Sequence, residues 1–172
     1  MFAARKLKNI IRPRYYCRAF SNQQKVPVFD AEIAAAYNKM AENHKHPKGP
    51  WNMMAEIVAE RIGSDSATVL DIATGPGQPA AMLAARLANA KVIATDCSED
   101  MVKAAKEAHK NLDNMTVQLA DAQDLSAFAD NSIDVVTCCY GYMFPENKEK
   151  ALQETLRVLK PDGKNDIYRE KK

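Results

Sequence analysis

A short apolar run that breaks into a glycine-proline-glycine turn constrains this chain more than any other feature. Val69, Leu70 and Ile72 have the composition of a buried parallel strand. The turn Gly75-Pro76-Gly77 follows, and Pro79 then stands where the first turn of a helix tolerates proline. Glycine lets the backbone approach a ligand closely, and the unpaired N–H groups at a helix start face that ligand. The sequence therefore predicts a strand–turn–helix unit that binds a nucleotide-like ligand.

Two ligand classes fit this unit, and one acidic residue separates them. The spacing Gly75-x-Gly77-x-x-Ala80 fits the dinucleotide fingerprint, which on its own is a weak signal. Asp71 stands at the end of the strand, where a carboxylate repels a pyrophosphate but suits a ligand with a cationic amino group. An NAD-type oxidoreductase therefore stays an alternative, and Asp71 argues against it.

The run from Thr68 to Ala80 resembles the first motif of class I S-adenosylmethionine-dependent methyltransferases. One departure is Ala73, where that family usually has its first glycine, and alanine is costly if the site needs a positive φ there. A second strand is predicted at Lys91–Asp96 and ends in Asp96, about 19 residues after Gly77. An acid at that distance suits the vicinal ribose hydroxyls and matches the family's second motif.

The resemblance covers about residues 29–163 and is nearest the type 11, UbiE-like small-molecule group, which includes methyltransferases of quinone biosynthesis. It implies a Rossmann-like α/β three-layer sandwich with a mainly parallel sheet in the order 3-2-1-4-5-7-6. Only four strands are recognisable before Gly163, with a stub at Ile167-Tyr168 after it. We therefore expect the last strands to be missing and strand four to form an apolar edge. A helix is predicted from Glu146 to Leu159, with Leu152 and Leu156 on its buried face.

The resemblance also implies S-adenosyl-L-methionine as the cofactor and names the residues that would bind it. Asp71 would hold the methionine amino end, Asp96 the ribose and Asp121 the adenine. The implied cofactor-binding set is Asp71, Ala73, Thr74, Gly75, Gly77, Asp96, Cys97, Met101, Asp121, Ala122 and Cys139, and the substrate-side candidates are Tyr37, Tyr140 and Met143. Met101 is equally well explained as a core residue, and Tyr37 as an aromatic residue that packs helix on sheet. No residue is predicted to be catalytic, because a sulfonium methyl is already activated and needs mainly alignment.

Residues 1–28 differ in composition from the rest of the chain. Residues 1–25 contain seven basic side chains, and no acid precedes Asp30. Phe2, Leu7 and Ile10 are interleaved with these charges, which is the composition of a mitochondrial transit peptide; a disordered basic tail is the alternative. We expect residues 1–28 to be this targeting or disordered segment, and residues 29–172 to be a methyltransferase domain that is incomplete at its C-terminus.

Composition narrows the possible functions further. The chain of 172 residues is 47% hydrophobic and 27% charged, which is ordinary for a globular domain. No apolar run approaches the roughly 18–20 residues of a membrane helix, and no basic surface for nucleic acid is evident. The four cysteines lack C-x-x-C spacing, and His44 and His46 have no paired ligand set, so no metal is predicted. The expected function is methyl transfer to an O, N or C atom of a small-molecule acceptor; the alternative is a non-catalytic binding or assembly protein in mitochondria.

Overall fold

A computed structural model describes residues 29–44, 46, 48–63 and 66–165 of the chain. Helices and strands alternate along most of this part of the chain. They are α1 (Ala31–His44), α2 (Pro50–Ile62), β1 (Thr68–Ile72), α3 (Gln78–Arg86), β2 (Lys91–Asp96), α4 (Glu99–Ala108), β3 (Met115–Leu119), β4 (Ile133–Thr137), α5 (Lys148–Val158) and β5 (Leu159–Asn165). This succession confirms the predicted α/β class. The targeting segment predicted over residues 1–28 lies outside the described residues.

The strands form one sheet in the order β3-β2-β1-β4-β5, and each neighbouring pair is parallel. This order confirms the prediction for the first five strands. β1 is central, since Val69 pairs with Val92 of β2 on one side and with Val135 of β4 on the other. The strand order reverses at β1, and open parallel sheets bind ligands at the carboxyl ends of the strands beside such a switch point.

The expectation that β4 forms the edge of the sheet is wrong. β5 pairs with β4 along its outer side, with an irregular register between Ile133 and Val135. The chain already runs beside the start of β4 where α5 ends, because the N–H of Ser132 donates to the carbonyl of Val158 at 2.9 Å. The segment after α5 therefore enters the sheet directly and pairs with the backbone groups on the outer side of β4. The predicted stub at Ile167-Tyr168 lies outside the described residues.

Two apolar clusters cover the two faces of the sheet. Side chains alternate in direction along a strand, so Val69 and Leu70 belong to different clusters. The first cluster joins the sheet to α2 and α3, through residues such as Val58 and Leu83. The second joins it to the β3–β4 connection and the end of α5, through residues such as Leu125. The result is the predicted three-layer arrangement, with helices on both faces.

The predicted buried face of α5 is wrong in two of its members. Leu152 is 38% exposed and Leu156 is 60% exposed, whereas Ala151, Thr155 and Val158 are buried. The buried stripe follows the i, i+4, i+7 spacing, and each leucine lies one position, or about 100° of helical turn, beyond it. No helix within the described ranges has the length and apolar character needed to cross a membrane.

Candidate functional site

A cavity of about 360 Å³ opens at the carboxyl edge of the sheet, above β1, β2 and β4. Ten of the fourteen predicted site residues line it: Tyr37, Ala73, Thr74, Gly75, Asp96, Cys97, Met101, Cys139, Tyr140 and Met143. Its volume falls in the range of about 300–1,000 Å³ that is typical of small-molecule sites. The structure therefore brings together residues that lie more than 100 positions apart in the sequence.

A smaller cavity of about 70 Å³ adjoins the larger one and contains two more of the predicted residues, Asp121 and Ala122. Five residues line both cavities: Phe29, Ala73, Cys97, Gly141 and Phe144. The rings of Phe29 and Phe144 meet edge to face, with their centroids 5.0 Å apart. This aromatic pair marks the boundary between the two cavities.

The loop between β1 and α3 is held in an unusual backbone conformation. Ala73, Gly75 and Gly77 have φ angles of +55°, +58° and +87°. The positive φ that would make alanine costly at position 73 is therefore present. Gly77 is the N-cap of α3 and lines neither cavity. A β-carbon at this position would lie 2.8 Å from the ring of His109. This glycine lets α3 start close to the end of α4.

Asp96 ends β2 and holds the glycine loop. Its Oδ2 accepts a hydrogen bond from the N–H of Gly75 at 2.8 Å, and its Oδ1 accepts one from the N–H of Ser98 at 2.9 Å. The residue is only 7% exposed, and burial raises the pKa of its carboxyl group, while the backbone N–H groups of Ser98, Gly75 and Cys97 oppose the rise. A carboxylate has about four acceptor positions on its two oxygens, so that of Asp96 keeps acceptor capacity beyond these contacts. A vicinal diol offers donors for it.

Asp71 lies beneath the same loop and lines neither cavity. Its Oδ1 accepts a hydrogen bond from the hydroxyl of Thr137 at 2.7 Å. Burial raises the pKa of Asp71 to about 6, and the side chains of Thr137 and Thr74 counteract part of that rise. The Thr74 hydroxyl is thus close enough to favour the ionised carboxylate, but among the described residues neither the Oδ2 of Asp71 nor the Oγ1 of Thr74 has a hydrogen-bond partner within 3.5 Å. A buried unsatisfied acceptor is costly, so this position favours a ligand that brings a hydrogen-bond donor, above all a cationic one.

Asp121 follows β3 at the rim of the smaller cavity. Its Oδ1 accepts hydrogen bonds from the N–H of Gln123 at 2.8 Å and from the Nε2 of Gln123 at 3.3 Å. The carboxyl group is half-buried and faces the cavity together with Ala122. This end of the site offers an acceptor and a neighbouring backbone N–H, a combination that suits the edge of a nitrogen heterocycle.

Sequence reasoning missed Phe29 as a site residue. The carbonyl of Phe29 accepts a hydrogen bond from the hydroxyl of Ser98, and its ring lines both cavities. Phe29 precedes the first helix and belongs to no periodic pattern, so the sequence contains no signal for this contact. Gln78 and Gln123 were also missed, because a single amide side chain beside a loop resembles an ordinary surface residue.

The thiols near the site are poorly suited to nucleophilic chemistry. Among the described residues, Cys97, Cys138 and Cys139 form no disulfide, and burial raises the pKa values of Cys138 and Cys139 to about 12. A thiol with such a pKa is almost entirely protonated at neutral pH, whereas the thiolate is the nucleophile. Across the residues that the structure describes, no group of three or more His, Cys, Asp or Glu side chains is arranged to hold a metal ion.

A family model described as a methyltransferase domain matches residues 69–163, which is more than half of the chain. The chain belongs to this family. Family membership implies S-adenosyl-L-methionine as the cofactor, and the residues present fit it: a buried unpaired acceptor at Asp71, spare acceptor positions on Asp96 and a cavity of suitable volume.

Curated relatives and solved structures agree with this membership. The chain is 37% identical over 156 residues to the ubiquinone/menaquinone biosynthesis C-methyltransferase UbiE of Idiomarina loihiensis, covering 87% of this chain and 61% of the relative. It is 39% identical over 111 residues to the demethylmenaquinone methyltransferase of Clavibacter sepedonicus, covering 64% of this chain and 41% of the relative. The chain therefore spans only about half of the length of these relatives. A SAM-dependent methyltransferase from Aquifex aeolicus matches with a TM-score of 0.62 and 26% identity, over 77% of this chain and 69% of that one.

Proposed function

We propose that this chain binds S-adenosyl-L-methionine and transfers its methyl group to a small-molecule acceptor. The observation that carries the proposal is the set of carboxylates at the carboxyl ends of three adjacent parallel strands: Asp71 of β1, Asp96 of β2 and Asp121 after β3. No lysine or arginine among the described residues lines the larger cavity. Such a site repels the pyrophosphate of a dinucleotide and attracts a ligand with an ammonium and a sulfonium charge.

The three carboxylates divide the cofactor between them. Asp71 receives the methionine amino group, Asp96 receives the two ribose hydroxyls, and Asp121 accepts from the adenine amino group. When bound, S-adenosyl-L-methionine supplies a methyl group that its sulfonium already activates. The chain itself then aligns the acceptor and excludes water, which are the contributions that such a displacement needs most. No side chain is proposed as a general base.

The acceptor that we propose is a flat, apolar ring of the quinone type, methylated at carbon. Two curated relatives carry names that refer to ubiquinone or menaquinone biosynthesis. The lining of the larger cavity supports this choice, because it includes the aromatic and thioether side chains of Tyr37, Trp51, Tyr140 and Met143. Aromatic and thioether side chains favour stacking and edge contacts with a planar ring.

Ligand binding tests the cofactor assignment. Calorimetry with the full chain should show binding of S-adenosyl-L-methionine and of S-adenosyl-L-homocysteine, and none of NAD. Asp96→Ala should weaken that binding by about 100-fold or more, because it removes two hydrogen bonds to a charged group that contribute about 1.5–3 kcal/mol each. Asp113→Ala serves as the control, since Asp113 is exposed and lines neither cavity. Binding of NAD, or an unchanged affinity in Asp96→Ala, would contradict the assignment.

Methyl transfer is a separate measurement. The chain is incubated with S-adenosyl-L-methionine labelled in the methyl group and with a reduced demethylnaphthoquinone, and labelled product is counted. Label on a ring carbon is the expected result. Cofactor binding without transfer to this acceptor or to O- and N-nucleophile analogues would favour the alternative, a non-catalytic methyltransferase-like binding or assembly protein.

We also propose that residues 1–28 direct the chain to mitochondria. The support is compositional: basic side chains without an acid before Asp30. Residues 1–30 fused to a fluorescent reporter should carry the reporter into mitochondria. A variant of the same fusion with the seven basic residues changed to glutamine is the control. A diffuse signal from the unchanged fusion would refute the proposal.

A further inference from the structure

One side chain, that of Gln123, connects Asp121 to the loop that carries the substrate-side residues. The Nε2 of Gln123 lies 3.3 Å from Oδ1 and 3.4 Å from Oδ2 of Asp121, and the N–H of Gln123 donates to the same Oδ1 at 2.8 Å. Its Oε1 accepts a hydrogen bond from the N–H of Asn147 at 2.8 Å. The two ends of one amide therefore contact the adenine-side carboxylate and the backbone of another segment.

Asn147 ends the loop of residues 138–147, which runs from β4 to α5. Its Oδ1 accepts a hydrogen bond from the N–H of Lys150 at 2.9 Å and so caps α5. The same loop places Tyr140 and Met143 at the mouth of the larger cavity, and Phe144 at the boundary of the two cavities. Gln123 thus holds the point where this loop meets its helix.

The chemistry of the contacts requires an amide at position 123. A backbone N–H only donates and a carboxylate only accepts, so the amide oxygen must face Asn147 and the amide nitrogen must face Asp121. Glutamate would keep an acceptor for Asn147 but would place a second carboxylate against that of Asp121. Methionine has a similar length and can make neither hydrogen bond. Both substitutions therefore break the connection while conserving the size of the side chain.

We propose that Gln123 is a positioning residue that couples ligand contact at Asp121 to the placement of loop 138–147. The inference rests on the proposed function, because the ligand that contacts Asp121 there is the adenine end of the cofactor. A donor on the ligand fixes the Asp121 carboxylate, the fixed carboxylate orients the Gln123 amide, and the amide oxygen holds the N–H of Asn147. By linkage, the factor by which bound ligand favours the held loop is also the factor by which the held loop strengthens ligand binding.

Hydrogen exchange of the full chain, with and without S-adenosyl-L-homocysteine, tests the coupling. In the unchanged protein, the ligand should slow exchange both at residues 73–80 and at the N–H of Asn147, which lines neither cavity and donates to Gln123. In Gln123→Met, saturating ligand should still slow exchange at residues 73–80, but its effect at the N–H of Asn147 should be lost. The affinity for the ligand should fall about five-fold, at the lower end of measured coupling factors. The measured quantity is the change in exchange that the ligand causes. A loop that is merely looser would exchange faster with and without ligand but would keep this change.

Two further variants make the outcome decisive. Gln153→Met is the matched control, because Gln153 is exposed and, within the described part of the chain, its side chain donates only to Glu149 on the surface of α5, at 3.4 Å. This variant should behave as the unchanged protein. Gln123→Glu should lose the effect at the N–H of Asn147 as Gln123→Met does, and it decides the question if the methionine variant does not fold. Ligand-dependent protection of the N–H of Asn147 in either Gln123 variant would overturn the inference. A complete absence of ligand binding in the unchanged protein would overturn the proposed function and the inference with it.

Discussion

Ala73 and Gly141 lie so close together that only one of them has room for a β-carbon. A β-carbon built on Gly141 would lie 2.5 Å from the Cβ of Ala73 and 2.5 Å from the Sγ of Cys138. Ala73 follows β1 and Gly141 follows β4, so the contact joins the two loops that flank the switch point of the sheet. The methyl group at position 73 thus restricts what can stand at position 141.

Gly141→Ala is expected to lower the free energy of unfolding by about 1–3 kcal/mol, the usual cost of overpacking. The same substitution in an Ala73→Gly background should cost less, because one of its two close contacts is gone and contacting residues are not additive. Urea unfolding of the four proteins of this cycle measures both costs. Equal costs in the two backgrounds would show that the contact with Ala73 does not cause the loss of stability in Gly141→Ala.

Ala73→Gly by itself is expected to stabilise the fold by about 0.5–1 kcal/mol. Ala73 has a φ of +55°, a region that costs a residue with a β-carbon about 1–2 kcal/mol, and glycine enters it without that cost. Ala85→Gly is the matched control, because Ala85 is exposed within α3, where glycine should cost about 1 kcal/mol. Thermal or urea unfolding should show opposite signs for the two variants, and a loss in both would contradict the strain at position 73.

Asp71→Asn is expected to stabilise the unliganded protein above pH 6. The folded-state pKa of Asp71 is raised to about 6, mainly by burial, above its ordinary value of 3.8. Below pH 4 the carboxyl group is protonated in both the folded and the unfolded state, so its ionisation does not change the free energy of unfolding. Between pH 4 and 6 the unfolded chain releases the proton while the folded chain retains it, so stability falls as the pH rises. Above pH 6 the group is ionised in both states, and the cost of burying the ionised carboxylate in the folded state is constant, on the order of 2–3 kcal/mol.

Urea unfolding at pH 4 and at pH 8 measures this difference. The gain from Asp71→Asn should be larger at pH 8, whereas Asp113→Asn, at an exposed position, should show no such pH dependence. Under the proposed function, the same Asp71 variant should bind S-adenosyl-L-homocysteine more weakly, because an amide replaces the charge that is proposed to receive the amino group. Greater stability with weaker binding is the trade-off expected of a binding residue. An equal effect at both pH values would contradict the raised pKa.

The parts of the fold that local patterns determine were predictable from the sequence. The β-type run Val69–Ile72, the glycine turn after it and the acid that ends β2 each depend on neighbouring residues, and the structure confirms their elements and their order. Positions at the carboxyl ends of parallel strands then follow from topology alone. This is why ten of the fourteen predicted site residues line one cavity.

The parts that sequence reasoning missed depend on tertiary placement. Phe29 reaches the site because its carbonyl meets Ser98, 69 positions away, and no local pattern encodes that contact. The pairing of β5 follows from where α5 ends beside β4. Leu156 is exposed because the stripe through Thr155 faces the protein interior instead. Helical spacing identifies a group of apolar residues, but the neighbouring layer decides which of them it buries.

Arg157 fastens the β3–β4 connection to α5. Its guanidinium donates to the carbonyls of Leu125 and Phe128 at 2.9 and 3.0 Å, and to the carboxylates of Asp130 and Glu154 at 2.6 and 2.8 Å. The connection that it holds begins at Ala120 and contributes Asp121 to the smaller cavity, so the position of that cavity depends on Arg157. A planar guanidinium satisfies these acceptors together, whereas an ammonium group satisfies them only in part.

Arg157→Lys should therefore lower the free energy of unfolding by about 1–3 kcal/mol although the charge is kept, because the buried carbonyls lose their donor. Arg86→Lys is the control: the one ion pair of Arg86 in the described part of the chain is with Glu56 at 3.5 Å, and the two side chains are 44% and 50% exposed. An exposed pair of this kind contributes little, so that substitution should stay within about 0.5 kcal/mol. Urea unfolding of both variants measures the two costs. If lysine at position 157 were as well tolerated as lysine at position 86, the charge alone would account for the contribution of Arg157, and the geometry of its hydrogen bonds would not matter.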